Sequence, residues 1–123
     1  MSETANLLHS MVIAEAESLH ADDLQARGVR PGFDAGNPQV SGKHFFKAHG
    51  TTVGVWECTP GGWEIVDRPD TETMLLLKGH VRMTTQGETP VELKEGDVFV
   101  LPKGWSGRWD VLETTRKLFV ISE

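Results

Sequence analysis

From Val40 onward the chain is a series of short β-branched and aromatic runs, each closed by a turn, and that punctuation leaves little room for anything but an all-β fold. Val53-Gly54-Val55-Trp56-Glu57-Cys58 stops at Pro60-Gly61-Gly62, and Trp63-Glu64-Ile65-Val66 follows. The apolar run from Thr73 to Leu77 meets Gly79, which turns it into His80-Val81-Arg82-Met83-Thr84-Thr85. Gln86-Gly87-Glu88 reads as a hairpin turn, and Val98-Phe99-Val100-Leu101 is stopped by Pro102. Trp109 to Leu112 and Lys117 to Ile121 close the chain. Roughly nine strands at this spacing predict a sandwich or barrel. The 13 glycines and 6 prolines supply its turns.

Residues 1–39 have a different texture and read as an N-terminal arm and loop of the same domain, with residues 40–123 forming the barrel. Leu7, Leu8, Met11, Val12, Leu19 and Leu24 are spaced loosely enough for a short helix or an edge strand. Asp22-Asp23-Leu24-Gln25-Ala26 suits the start of a helical turn that Gly28 ends. Arg30 to Pro38 reads as a loop by its Pro and Gly content.

With 123 residues there is room for one domain and one core. The formal charge of −6 and the lack of any Lys/Arg cluster argue against nucleic-acid or anionic-membrane partners. No apolar run approaches the ~20 residues needed to span a bilayer. Met1-Ser2-Glu3-Thr4 does not resemble a signal peptide, and the single Cys58 excludes an internal disulfide. These features predict a cytoplasmic location. No phosphate loop, dinucleotide fingerprint or nucleophile elbow is present.

Two phrases resemble the signature stretches of the cupin superfamily. Gly96, five residues, then Pro102-Lys103-Gly104 matches the second motif in frame; Glu72, six residues, then Gly79 matches the end of the first. Gly54 to Gly61 and Trp109 to Glu113 with Arg116-Lys117 look like the ureidoglycine aminohydrolase-type subfamily. The resemblance implies a cupin double-stranded β-helix, an RmlC-like jelly-roll barrel with a short N-terminal arm. It also implies a homodimer, since small cupins often pair through edge strands and arms.

The three histidines that hold a metal in most cupins are missing. With three residues before Glu72, their positions fall on Val66 and Arg68; with four, on Ile65 and Asp67. The three-residue spacing leaves Gly61 one place from the motif's leading glycine and is preferred. The third position falls on Gly107. One carboxylate cannot hold a transition metal tightly, so no cofactor is predicted, with Mn, Zn or Fe at Glu72 as the alternative.

In this register Glu72 shares an inner strand face with Met74 and Leu76 and must be paired or protonated there. It is either a candidate general base or a structural carboxylate at the barrel mouth. Arg68 either stands where the metal would be, offering an anion a bidentate grip, or points to solvent from the Arg68-Pro69-Asp70 turn. Trp63, Trp105 and Trp109 are candidate pocket walls, with core packing as the alternative. Trp109, two residues from Gly107, is placed to fill the volume left there, whereas Trp56 reads as core. His44 is a candidate recruited from a neighbouring strand, or a surface histidine. Two functions follow. One is a binding module that holds a small, polar or anionic molecule between Arg68, Glu72 and the tryptophans. The other is an enzyme of small-molecule nitrogen or sugar metabolism using Glu72.

Overall fold

Nine strands follow one short helix in the computed structural model, which describes residues 9–123. They are α1 (Ala16–His20), β1 (Gln25–Val29), β2 (Phe33–Gly36), β3 (Gln39–Ala48), β4 (Thr51–Cys58), β5 (Gly61–Ile65), β6 (Thr71–Thr85), β7 (Val91–Lys94), β8 (Val98–Leu101) and β9 (Gly107–Ser122). All described pairings are antiparallel. The expected short helix or edge strand through Leu7 and Leu8 lies outside the described residues.

Two long strands organise the sheet. β6 and β9 pair from Thr71↔Ser122 to Thr85↔Gly107. The other edge of β9 is shared, β5 taking Gly107–Val111 and β4 taking Thr115–Ser122. The other edge of β6 is shared in the same way by β8 and β7. β3 and β1 extend the sheet from β4, and β2 extends it from β5. This arrangement curls the sheet into the expected all-β jelly roll.

The ribbon bends at Gly79, where its register slips three times between Leu76 and Val81. Gly79 has φ +102°, and a Cβ there would lie 2.5 Å from the Thr114 carbonyl oxygen and 2.6 Å from Thr115 Cα. Only glycine fits that close crossing. Fully buried Thr115 stitches the bend: its hydroxyl accepts from the His80 amide at 3.2 Å and donates to the Glu113 carbonyl at 2.8 Å.

Alternation along the strands builds the core. Met74, Leu76, Val81 and Met83 of β6 face Trp109, Val111 and Phe119 of β9, with Trp63, Leu101 and Trp105 closing the layer. Burying each such side chain contributes roughly 1.5–3 kcal/mol. The outer face of β9 is held differently. Arg116 is 3% exposed. Its Nε donates to Glu57 at 3.0 Å, and its Nη1 donates to the Leu19 and Ala21 carbonyls at 3.0 and 2.9 Å. That guanidinium pins the C-terminal end of α1 to the sheet.

The N-terminal region is more strand-like than its sequence suggests. Gln25 and Ala26, expected in a helical turn that starts at Asp22 and ends at Gly28, instead begin β1 (Gln25–Val29), because pairing with β3 satisfies its backbone groups along a sheet edge. Within the expected loop, Phe33 to Gly36 forms β2. Seven strands, not nine, run from Val40 onward, since β6 and β9 each carry what the turn signals divide in two. Among the described residues, no helix is long and apolar enough to cross a membrane.

Candidate functional site

One end of the barrel holds a cavity of about 210 Å³ whose floor is ionic and whose walls are aromatic. Glu72, near the start of β6, is 4% exposed and lies opposite Leu101 on one side and Ile121 on the other. Such a carboxylate must be paired. Arg68 Nη2 lies 2.9 Å from its Oε1, and Lys117 Nζ lies 2.8 Å from its Oε2. Each oxygen is thus committed to a cation.

Arg68 is aimed inward by the two turns that the sequence motifs supply. Its amide donates to the Trp105 carbonyl at 2.9 Å, and its carbonyl accepts from Gly104 N–H at 2.7 Å. Beside it, Asp67 takes φ +49° and its amide donates to Ser106 Oγ at 2.8 Å. The Pro102-Lys103-Gly104 turn therefore clasps the loop that bears Arg68. Asp70 completes the grip: its carbonyl accepts from Arg68 Nε, and its carboxylate from Nη2, each at 3.1 Å.

Lys117 is placed by strand register. It lies directly opposite Trp56 on β4, which puts Nζ 4.2 Å from the Trp56 ring centroid and 4.5 Å from that of Trp109. Cation–π attraction of this kind contributes up to about 2 kcal/mol when water is excluded. Burial holds the Lys117 ammonium below the usual lysine range, and Glu72 opposes that shift. Trp63 and Trp109 also face each other in register, across β5 and β9, and stack with centroids 5.7 Å apart at 15°. Trp56 meets both rings at an angle. The mouth belongs to Arg30, the residue after β1, whose guanidinium carbon stands 5.1 Å from the Trp63 ring centroid. Burial lowers its pKa from the usual arginine value, with Arg68 adding to the effect.

Of the residues singled out from sequence, the structure gathers Arg68, Glu72, Trp63 and Trp109 around this cavity. Trp105 and His44 lie elsewhere. Trp105 lies at the far end of β6, where its Nε1 donates to Thr85 Oγ1 at 2.9 Å. It also fills the place expected for Trp109: a Cβ on Gly107 would run into the Trp105 ring and the Thr84 carbonyl. His44 is exposed on β3, with its ring edge-on to Phe119 at 6.1 Å, over a separate hollow of about 110 Å³. Desolvation lowers its pKa.

Sequence reasoning passed over Lys117 and Arg30 and took Trp56 as core alone. Lys117 did carry a signal, since it stands an even number of residues from Trp109 on a strand and so shares its face. Arg30 lies in a loop and carried none. Cys58 is fully buried, and desolvation pushes its thiol up to about 11, which makes it a packing residue.

Residues 47–119, from the end of β3 to near the end of β9, match the EutQ-like cupin domain. The chain belongs to that family. Solved structures agree on the cupin fold. A DUF861-family protein of unknown function from Pseudomonas syringae superposes with a TM-score of 0.74 at 20% identity, over 80% of this chain and 44% of that one. The chain thus spans less than half the length of that relative. The cupin domain of Cnp3 from Schizosaccharomyces pombe gives 0.65 at 18% identity, over 85% and 71% of the two chains. The EutQ protein of Clostridium difficile gives 0.61 at 18%, over 69% and 68%. No curated protein matches the chain.

The metal centre common among cupins does not fit the residues of this EutQ-like cupin. Its ligand positions hold a 79%-exposed Val66, a guanidinium at Arg68 and no side chain at Gly107. At Glu72 a metal would become a third cation against two already within 2.9 Å. Among the described residues, no three His, Cys, Asp or Glu side chains converge on a common point.

Proposed function

We propose that this cupin is a small-molecule binding domain whose ligand occupies the cavity above Glu72, with a fixed pair of side-chain cations in the place of a metal. The observation that carries this reading is the Arg68–Glu72–Lys117 cluster, with contacts of 2.9 and 2.8 Å beneath a wall of three tryptophans. A preorganised polar floor and an apolar wall are what small-ligand sites share. The alternative, an enzyme using Glu72 as general base, is disfavoured because both carboxylate oxygens already accept from cations. Membership of the ureidoglycine aminohydrolase-type subfamily, which would favour an enzyme, rests on the phrases around Trp56 and Trp109. A cytoplasmic location and a homodimer formed through edge strands belong to the same reading.

Tryptophan fluorescence during a screen of polar molecules below about 200 Da tests it, since three of the four tryptophans line the cavity. Hits that compete with one another and are lost in Lys117→Met support the reading. Hits that all survive Lys117→Met overturn it. Metal analysis of untagged protein separates the two classes, because stoichiometric manganese, zinc or iron would contradict a metal-free site.

A further inference from the structure

We infer that the cavity selects small monocarboxylates, with the Arg30 guanidinium as the clamp for the carboxylate; this rests on the ligand-binding reading above. Three cations face the cavity: Arg30, Arg68 and Lys117. Two of them are already neutralised, Lys117 by Glu72 and Arg68 by Glu72 and Asp70. Arg30 has no carboxylate partner among the described residues. The one hydrogen bond of its guanidinium there is from Nη1 to the Pro31 carbonyl at 2.8 Å, which leaves most of its fork of five N–H donors available.

A half-buried guanidinium with free donors is matched by the two oxygens of a carboxylate. Two carboxylates against three cations leave one positive charge, which suits a monoanion and leaves a phosphate dianion uncompensated. Arg30 is also preorganised. The Trp63 ring supports its planar group at 5.1 Å, and its amide donates to the Pro38 carbonyl at 2.8 Å. From behind, Arg108 ties β2 to the sheet through Asp34 at 2.7 Å, which anchors the far end of the Arg30 loop. Ile65, Phe119 and Ile121 are left to meet a compact apolar body, and a cavity of about 210 Å³ restricts its size.

The test compares isobutyrate with isobutyramide, and benzoate with benzamide, by fluorescence titration and calorimetry. Each pair shares a shape and differs in charge. The expected result is tenfold or tighter binding of the acid than of its amide, a ratio that falls to about one in Arg30→Gln and is partly kept in Arg30→Lys. Equal binding of acid and amide would overturn the carboxylate inference and leave the pocket reading intact. An acid preference that survives Arg30→Gln would remove Arg30 from the role. Inorganic phosphate binding more tightly than either acid would overturn the monoanion class. Failure of all four probes to bind would count against the pocket itself.

Discussion

Replacing Glu72 with glutamine keeps the side chain's shape and removes the only charge that Lys117 and Arg68 share. At 2.8 and 2.9 Å, with an effective dielectric of about 20, each pair is worth about 6 kcal/mol of Coulomb attraction. Much of that is offset by the cost of burying Glu72 itself, which the substitution relieves. Removing one member of a buried pair usually costs about 3–5 kcal/mol. The Trp56 and Trp109 rings still hold the Lys117 ammonium, and Arg68 keeps Asp70, so the lower end, about 3 kcal/mol, is expected. At roughly 4 °C per kcal/mol for a domain this size, the midpoint falls by about 12 °C. The loss should also depend on pH. The folded-state pKa of Lys117 lies below its unfolded value, so the unfolded chain binds the extra proton and stability rises with pH through the interval between them. Without Glu72, which opposes that shift, the interval widens and the total rise across it grows. Urea unfolding at neutral and alkaline pH, followed by tryptophan fluorescence, reads both effects. A Glu72→Gln protein within about 0.5 kcal/mol of wild type at both pH values would refute the reasoning.

Gly79→Ala should cost at least about 2 kcal/mol, since its Cβ would press on the Thr114 carbonyl and the Thr115 backbone at a positive φ; chemical unfolding measures it. Gly107→Ala should also destabilise, at ordinary φ, by pushing on the Trp105 ring and the Thr84 carbonyl; a midpoint equal to wild type would disprove that packing. Arg116→Met removes the hydrogen bonds to Leu19 and Ala21, so proteases should cut near residues 16–24 more quickly while the barrel stays folded. Cys58, fully buried with its thiol pushed up to about 11, should react with a disulfide reagent at pH 8 only after unfolding.

The barrel was legible because its signals are local. Alternation set the buried faces of β6 and β9, and Gly79 and the Pro102-Lys103-Gly104 turn marked where strands bend or stop. The Arg68–Glu72 pair was legible as one of two readings: the three-residue motif spacing sets Arg68 beside Glu72, while the Arg68-Pro69-Asp70 turn also allowed it to face solvent, and only the structure decides for the pair. Lys117 was overlooked within an apolar run, although its phase with Trp109 placed it inside. Arg30 could not have been found, because its position depends on how β1 and β2 dock against β3 and β5, which no local pattern encodes. The same long-range pairing overrode Asp22-Asp23, which look like a helix start but precede an edge strand. At Gly107 the wrong tryptophan was expected: strand phase points to Trp109, whereas the turn returns Trp105 onto the glycine.

The binding claim is tested most directly by the four indole N–H resonances in a ¹⁵N correlation spectrum during an isobutyrate titration. Trp56, Trp63 and Trp109 line the cavity, while Trp105 is tied to Thr85 beyond it and serves as an internal control. The account predicts saturable shifts for the first three indoles and none for Trp105. Shifts confined to Trp105, or no saturable shift at all, would contradict it.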